Sequence, residues 1–398
     1  MATPAGLPAR RAAVQALHTI LVVGRTLDDA LDRAAGGLCP RDRALAAALV
    51  GEALRWLPDL DRRIDRATAT PLPADARARF VLRVALAGRL RLGTPAHAAI
   101  ATALPLLAGG PRRLAHAVLA RLEREPEPLP AVPTLPEPWA ARWRQVHGPA
   151  AVEAMARALA SPPPLDLSLK DPAATRPWAE RLGGQSLEPG HVRLTSGAGL
   201  EERPGYASGD WWVQDLAGRQ AVHLLGEVAG RRVLDLCAAP GGKTMQLAAL
   251  GAEVTALDRD LRRMARLSAN LARVGLAART VVADALDWAP AERFPAILLD
   301  APCSATGTFR RHPDVLHRRT PADLPALQEL QRALLGRAAS WLEPGGRLVY
   351  AVCSIEPEEG QEQMHAAVGL GLVVEECRLL LPGVGPGDGF FIARLRRA

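Results

Sequence analysis

Hydrophobic residues in the first third of the chain recur at helical spacing. In RRAAVQALHTILVV, residues 10–23, the side chains of Val14, Leu17 and Leu21 fall on one face of a helix. Residues 41–56, 79–92 and 114–125 repeat the same three- and four-residue intervals. The pattern therefore predicts a helical domain over residues 1–125.

The pattern then breaks at a proline-rich stretch. PEPLPAVPTLPEP, residues 126–138, contains six prolines, which fix φ and remove backbone donors. We expect an extended linker here. Residues 139–218 then contain a short helical piece that ends before SPPP, followed by strand-like runs in LDLSLK, HVRLTS and DWWVQD. This combination predicts a small α+β domain.

From residue 219 to 398 the pattern alternates between strand and helix. Strands are predicted at 232–237, 253–258, 279–284, 296–301 and 347–353, with helices at 261–274 and 322–341 and two closing strands at 372–380 and 389–396. Alternation of this kind indicates a mostly parallel, Rossmann-like sheet that binds ligands at the carboxyl ends of its strands. The predicted fold class is multidomain: all-α, then small α+β, then α/β.

Composition narrows the class of protein. The 398 residues suit two or three domains, and a net charge of +7 fits an anionic partner. Residues 1–125 hold 19 Arg against 11 Asp and Glu, which is +8, so the rest of the chain is near neutral. The five cysteines form no CxxC pair, which argues against disulfides and a metal site and favours a reducing cytoplasm. We also expect no signal peptide and no membrane span.

VLDLCAAPGGKT, residues 233–244, is the first candidate for ligand binding. A P-loop requires glycine where Cys237 stands, and the dinucleotide fingerprint G-x-G-x-x-G is absent. What remains is a strand, a tight turn and a helix, which together can bring backbone N–H groups close to a ligand.

Aspartates stand at three of the predicted strand ends: Asp258, Asp284 and Asp300. A carboxylate after the second strand can accept the ribose hydroxyls of a nucleoside, and one after the third can meet an adenine amino group. Each aspartate alone fits a helix cap or a turn equally well. Together with the glycine turn they indicate an adenosine-containing ligand, for which we expect S-adenosylmethionine.

Two cysteines, Cys303 and Cys353, each follow a predicted strand. These strands should be neighbours in a doubly wound sheet, which would bring both thiols into one cleft. A thiolate there would be a good nucleophile. A lone cysteine at a strand end is more often a small buried hydrophobe, and that alternative stays open for each one.

DLCAAPGGKT, DAPCSATGTFRRHPDV and VYAVCSIEPEE, in this order, resemble motifs I, IV and VI of the NOL1/NOP2/Sun family of RNA cytosine-C5 methyltransferases. The catalytic resemblance covers about 219–398, and GDGFFIARLRR resembles the closing strand of the family. The helical N-terminus resembles the NusB-like RNA-binding domain of the RsmB/Sun branch, which modifies 16S rRNA. The resemblance is therefore nearly full-length.

The resemblance implies roles for particular residues. Cys353 would attack C6 of the cytosine, Cys303 would assist release of the product, and Asp300 would contact the cytosine edge and help to protonate N3. The expected cofactor-binding residues are Cys237, Ala238, Ala239, Pro240, Gly241, Gly242, Lys243, Asp258, Asp284 and Asp300. The second cysteine favours RNA, because DNA cytosine methyltransferases use the motif IV cysteine as their nucleophile.

The chain departs from the family pattern at three places. Val352 stands where threonine usually precedes the motif VI cysteine, Ala305 replaces a glycine of motif IV, and Gly360-Gln361 replaces Asn-Glu after motif VI. None of these changes removes a reacting atom.

The mode of RNA binding is a further expectation. The target base must leave its helix to reach a thiol in a cleft. Arg310, Arg311 and His312 could grip phosphates or form a solvated turn, and the Trp211-Trp212 pair could stack a base or pack in the core. The expected partner is 16S rRNA, naked or in a partly assembled small subunit, and the expected state is a monomer. Two alternatives stay open. The protein could perform the same chemistry on tRNA, another RNA or DNA, or it could be a catalytically inactive RNA-binding module.

Overall fold

The chain folds into two compact units, described here from a computed structural model over residues 4–195, Gly197 and residues 199–398. Unit 1 is the chain up to Pro162 together with Phe309–Pro321, and unit 2 is Pro163–Thr308 together with Ala322–Ala398. The sequence-based division at 126–138 and 218/219 stays a prediction about separately folding parts.

The helices, numbered along the chain, are α1 (Leu7–Leu21), α2 (Leu27–Ala35), α3 (Pro40–Arg55), α4 (Leu57–Arg66), α5 (Arg77–Arg91), α6 (Ala96–Ala103), α7 (Gly109–Arg124), α8 (Trp139–His147), α9 (Pro149–Leu159), α10 (Thr175–Leu182), α11 (Leu216–Leu225), α12 (Gly242–Ala249), α13 (Leu261–Val274), α14 (Val315–Arg318), α15 (Leu324–Trp341) and α16 (Gln361–Gly369). The strands are β1 (Leu165–Leu169), β2 (His191–Leu194), β3 (Trp211–Val213), β4 (Arg232–Leu236), β5 (Glu253–Asp258), β6 (Arg279–Val282), β7 (Phe294–Asp300), β8 (Leu342–Val352), β9 (Leu372–Leu380) and β10 (Phe390–Arg397).

Unit 1 is helical, as the periodicity predicts. Its core is built from the apolar faces of α1, α3 and α5, and includes Leu17, Leu49 and Leu82, which are all fully buried. Helix α5 is buried around most of its circumference, since every residue from Ala78 to Gly88 is buried. The proline-rich stretch 126–138 contains neither helix nor strand.

Residues 309–321 come from the middle of the α/β sequence but fold as part of unit 1. The ring of Phe309 is fully buried and stacks on Trp143, with ring centroids 5.7 Å apart. Arg55 donates to the carbonyl oxygen of Arg310, and the Asp314 carboxylate accepts from the backbone N–H of Leu27. The sequence did not predict this placement, because the run carries no pattern that links it to distant helices.

Unit 2 begins with a small sheet of order β2-β1-β3, with β1 antiparallel to both neighbours. Trp211 and Trp212 point to opposite faces of β3, yet both are buried, at 0% and 2% exposure. The reason is that apolar groups cover both faces of this strand. The core-packing interpretation of this pair is therefore confirmed, and base stacking by it is excluded.

The larger sheet of unit 2 has the strand order β6-β5-β4-β7-β8-β10-β9. Strands β4 to β8 run parallel, whereas β10 is antiparallel to both β8 and β9. Alternate residues of β4 face opposite sides, so Leu234 packs towards α15 and α16 while Val233 packs towards α11. Helices on both faces confirm the predicted α/β arrangement.

The strand and helix boundaries agree closely with the sequence-based prediction, with one exception. Strand β8 begins at Leu342 rather than at residue 347. Its register against β7 shifts between the pairs Phe294–Leu342 and Ala296–Arg347. The intervening EPGG bulges out of the ladder, with Gly345 at a φ of 72°. A turn signal in the sequence is thus a bulge within a longer strand.

Candidate active site

The carboxyl ends of β4, β5, β7 and β8 meet at one edge of the large sheet, because these strands are parallel. Cys237–Gly241 form the turn after β4, and Asp258 and Asp300 are the last residues of β5 and β7. Cys353 directly follows β8. The predicted site residues in these positions are therefore brought to a single edge.

The turn after β4 is tight and well anchored. Cys237 adopts a φ of 59° and Gly241 a φ of 106°, and α12 starts at Gly242. The backbone N–H of Ala238 donates to the Leu257 carbonyl oxygen at 3.1 Å. Burial, followed by the charges of Asp300 and Asp258, raises the pKa of the Cys237 thiol to about 12, so this thiol stays protonated.

The Asp258 carboxylate is held in place by donors from the turn after β4 and from the start of α13. Its carboxylate accepts from the backbone N–H groups of Ala239 at 3.2 Å and Asp260 at 2.9 Å, and the Arg263 guanidinium lies 3.5 Å away. A carboxylate offers about four acceptor positions, so hydroxyl donors can still be accommodated. Asp284 lies two residues beyond β6, with its side chain 36% exposed.

Asp235, within β4, adds a feature that the sequence did not suggest. Its Oδ2 accepts from the Thr244 hydroxyl at 2.6 Å, whereas its Oδ1 is buried and has no hydrogen-bond partner among the described residues. Burial raises the pKa of this carboxyl to about 7. Asp235 therefore keeps an unused polar atom beside the turn.

Lys243 and Asp300 form an ion pair, with Nζ 2.8 Å from Oδ2. Burial acts to lower the pKa of Lys243, but the charge and hydrogen bond of Asp300 outweigh it and raise that pKa. The ammonium also interacts electrostatically with Cys353. Sequence reasoning grouped Lys243 with the cofactor turn and missed this pairing, since the two residues are 57 positions apart.

The two thiols converge as the sequence predicts. Strands β7 and β8 are neighbours, and the Sγ atoms of Cys303 and Cys353 lie 3.4 Å apart. A hydrogen bond with Cys353, together with burial, raises the pKa of the Cys303 thiol well above its ordinary value. Cys303 therefore stays protonated in this state and can donate to the sulfur of Cys353.

A buried polar network joins the two cysteine loops. Ser304 and Ser354, the residues that follow the two cysteines, both donate to the carboxylate of Glu359, which is 0% exposed. The backbone N–H of Gly307 also donates to the Cys353 carbonyl oxygen at 3.0 Å. Glu359 carried no sequence signal beyond its position in EPEE.

The loop after Cys303 also contacts the closing strand. The backbone N–H of Gly389 donates to the Gly307 carbonyl oxygen at 2.8 Å. A side chain on Gly307 would place its Cβ 2.1 Å from the Gly389 carbonyl oxygen, so glycine is required here. In contrast, Ala305 adopts a φ of 61°, a left-handed conformation at the position where the family pattern has glycine.

Residues 310–312, which were expected either to contact RNA phosphates or to form a solvated turn, are partly or fully buried in the structure. Arg310 is only 9% exposed and belongs to unit 1, so it is not part of a solvated turn. Arg311 and His312 are partly buried.

In the part of the chain that the structure describes, no cluster of three or more His, Cys, Asp or Glu side chains is arranged to hold a metal ion. No described helix is both long and apolar enough to cross a membrane.

The strand order, the turn after the first strand of the large sheet and the acids at its carboxyl edge define a class I S-adenosylmethionine-dependent methyltransferase. The chain matches two family models: 16S rRNA methyltransferase RsmB/F over residues 222–396 and the NusB family over residues 7–121. It is 34% identical over 432 residues to ribosomal RNA small subunit methyltransferase B of Klebsiella pneumoniae subsp. pneumoniae, with 97% of each chain covered. The chain belongs to the RsmB/F family of 16S rRNA methyltransferases.

Solved structures share the fold. The crystal structure of PH0851 superposes over the whole of both chains with a TM-score of 0.79 at 23% identity. The structure of NSun6 from Pyrococcus horikoshii with SFG covers 66% of this chain and 98% of its own, with a TM-score of 0.60 at 19% identity. The protein is thus an S-adenosylmethionine-dependent rRNA methyltransferase with a NusB-like helical domain.

The residues at this edge fit S-adenosylmethionine. The ligand carries ribose hydroxyls, an adenine amino group and an ammonium, all of which need acceptors. Asp258 and Asp284 supply carboxylate oxygens, and the unpartnered Oδ1 of Asp235 supplies a further buried acceptor. The donor requirements of the cofactor therefore match the acceptors of the site.

Proposed function

We propose that this protein methylates C5 of a cytosine in 16S rRNA through a covalent bond between Cys353 and C6. One observation carries the proposal: the sulfur atoms of Cys303 and Cys353 lie 3.4 Å apart, at the sheet edge where the predicted cofactor residues also lie. One cysteine suffices for nucleophilic attack. A second cysteine in contact with the first favours a reaction in two stages. Cys353 would form the bond to C6, and Cys303 would act after that bond has formed.

In the first step Cys353 attacks C6 as a thiolate. The Lys243 ammonium interacts electrostatically with Cys353, and the Cys303 S–H can donate to the same sulfur. The π electrons of the C5=C6 bond move towards C5 as the S–C6 bond forms, and N3 takes up a proton from solvent water. Asp300, fixed by Lys243, would contact this edge of the ring.

The cofactor, when bound, supplies an electrophilic methyl group to the activated C5. Residues 237–242, Asp258 and Asp284 would hold it. Lys243 and Asp300, which the sequence also assigned to the cofactor, would serve the substrate side through their ion pair.

Product release needs a base for the C5 proton. The hydrogen bond with Cys353 is the largest cause of the raised pKa of Cys303. It weakens once the Cys353 sulfur is an uncharged thioether, which is a poor acceptor. Cys303 can then ionise more readily and take the proton from C5. The C5=C6 bond re-forms, the S–C6 bond breaks, N3 loses its added proton, and Cys353 leaves as a thiolate.

The chemistry is tested with cysteine variants and labelled methyl donor. Cys353→Ala should transfer no methyl group to RNA, and Cys303→Ala should accumulate a covalent protein–RNA adduct that resists denaturation. Cys377→Ser is the matched control, because Cys377 is exposed on β9 and should behave as wild type. Full turnover by Cys353→Ala would overturn the assigned nucleophile, and normal turnover by Cys303→Ala would remove the role in release.

The substrate is tested by offering 16S rRNA, assembling small subunits, tRNA and DNA to the same enzyme. Label in 5-methylcytosine of 16S rRNA, naked or in the assembling subunit, is the expected result. Label confined to tRNA or DNA would contradict the substrate, and label at another base would contradict the chemistry.

A further inference from the structure

Glu359 lies at the centre of a buried hydrogen-bond network beside the two cysteines. Its Oε2 accepts from the hydroxyls of both Ser304 and Ser354, each at 2.5 Å. Its Oε1 accepts from the backbone N–H of Ser304 at 2.8 Å and from the Gln331 amide at 2.9 Å. All four positions of the carboxylate are thus used by donors.

These donors belong to the two loops that carry the thiols. Ser304 directly follows Cys303 and Ser354 directly follows Cys353, so one carboxylate oxygen joins corresponding positions in the two loops. Gln331, fully buried on α15, donates both to Glu359 and to the Pro302 carbonyl oxygen at 2.9 Å. The network therefore fixes both sides of the Cys303 loop.

A buried carboxylate is unfavourable unless hydrogen bonds replace its water. Glu359 is 0% exposed, so its position is stable only while these donors surround it. Because two of these donors, Ser304 and Ser354, belong to the cysteine loops, the same requirement holds the loops against the carboxylate. Moving either loop would leave a buried oxygen without its donor, and that penalty opposes any change in the loop separation.

We propose that Glu359 is the positioning residue that sets the separation of the Cys303 and Cys353 sulfur atoms. This role deepens the proposed function, because both sulfurs must reach adjacent atoms, C6 and C5, of one pyrimidine ring. Small misplacements of reacting groups reduce rates strongly. Glu359 is hydrogen-bonded to neither sulfur and positions the two loops through Ser304, Ser354 and Gln331.

Sulfur separation is measured directly by oxidation with diamide, which accepts two electrons and two protons as the two thiols form a disulfide. Mass spectrometry of the digested full-length protein follows the Cys303–Cys353 product over time, with neither RNA nor cofactor present. The assay is therefore independent of whether the substrate is cytosine. Glu359→Ala should form this disulfide at least about tenfold more slowly than wild type.

Glu359→Gln is the conservative variant. Its amide oxygen can accept from the Ser304 N–H and from Gln331, and its NH₂ can donate to the two serine hydroxyls once these rotate. It should cross-link within about threefold of wild type. Glu362→Gln, three residues along on the exposed face of α16, is the matched control and should cross-link at the wild-type rate.

Should Glu359→Ala fail to fold, the double variant Ser304→Ala/Ser354→Ala removes both hydroxyl arms with little change in volume and should give the same slowing. In steady-state methylation, folded variants that cross-link slowly should lose kcat at least about tenfold, with the KM for S-adenosylmethionine within twofold of wild type. Wild-type cross-linking by the double variant or by folded Glu359→Ala would overturn the proposal. Slow cross-linking with an unchanged kcat would show that the separation does not serve the reaction, which also overturns it.

Discussion

The Nζ atom of Lys243 lies 2.8 Å from Oδ2 of Asp300, which joins the start of α12 to the end of β7. This bond directs Lys243, a residue of the predicted cofactor motif, towards Asp300, which we propose serves the substrate. The Asp300 side chain remains 31% exposed, so part of it is accessible to a ligand. The ion pair therefore fixes the direction in which that carboxylate can act.

Replacement of Lys243 by methionine should separate substrate chemistry from cofactor binding. Without its ammonium, Asp300 loses its orientation and Cys353 loses a favourable charge, so kcat should fall at least about tenfold. S-adenosylmethionine affinity, measured by calorimetry, should stay within about threefold because Asp258 and Asp284 are untouched. A variant that loses cofactor affinity while keeping kcat would place Lys243 with the cofactor instead.

Ala305→Gly should stabilise the protein. Ala305 has a φ of 61°, where a side chain costs roughly 1–2 kcal/mol relative to glycine. Part of this gain is offset by the larger backbone entropy that glycine loses on folding. The expected net increase in the free energy of unfolding is about 0.5–1 kcal/mol, measured by urea denaturation. Ala301→Gly, at a residue outside the left-handed region, should destabilise.

His317 should make unit 1 less stable in mild acid. Its Nε2 lies 2.8 Å from the Leu54 carbonyl oxygen, and burial lowers the pKa of His317 to about 4. An unfolded histidine titrates near 6.5, so the folded state prefers the neutral ring. This contribution is complete above about pH 6.5 and is lost as the pH falls towards 4. The loss is on the order of 2 kcal/mol at pH 5 and about 3 kcal/mol at pH 4.

The comparison variant is His317→Gln, whose amide can still donate to the Leu54 carbonyl oxygen but does not titrate. The difference in unfolding midpoint between pH 7 and pH 5 should be smaller in this variant than in wild type. His97→Gln, at an exposed position, should leave that difference unchanged. An equal pH response in His317→Gln and wild type would contradict the assignment.

Asp166→Asn should destabilise the small sheet of unit 2. Burial acts to raise the pKa of Asp166, but the hydrogen bonds and charge of Arg193, together with the His191 ring 3.1 Å away, outweigh it and hold that pKa well below its ordinary value. Both carboxylate oxygens accept from Arg193 at 2.7 Å. Removing one partner of a buried pair costs about 3–5 kcal/mol, so the unfolding free energy at pH 7 should fall by that order.

The sign of the pH dependence provides a second measurement on Asp166. The stabilisation is present above the ordinary Asp range, near pH 4, and is lost as the pH falls below it. Asp166→Asn should therefore lose less stability than wild type on acidification. Asp287→Asn changes an exposed carboxylate and should follow wild type. A full acid response in Asp166→Asn would contradict the role of this residue.

Local patterns of hydrophobic and polar residues predicted most of the fold. Helix α13 and strand β5 have the predicted bounds, because three- and two-residue periodicities report directly on which face is buried. The adjacency of β7 and β8, and hence the meeting of Cys303 and Cys353, followed from the topology of doubly wound sheets. These inferences need only the order of elements along the chain.

Contacts between distant residues could not be predicted in this way. The contacts of Glu359 with Ser304 and of Lys243 with Asp300 produce no periodic pattern in the sequence. Each contact depends on how separate loops meet in space. The start of β8 at Leu342 was also missed, because EPGG contains proline and glycines that interrupt the strand pattern and form a bulge within the strand. Trp212 could not be assigned to a face until the covering of both sides of β3 was known.

The folding of Phe309–Pro321 into unit 1 limits how this enzyme can be divided. A truncated protein that starts at residue 163 would keep all the proposed reacting groups but would expose Phe309, Val315 and Leu316 to water, since the helices that bury them would be missing. Such a truncation should aggregate unless those side chains are made polar. Chimaeras that join the front of one relative to the back of another at residue 162 would inherit a mismatched interior, so exchange between relatives must carry both pieces together.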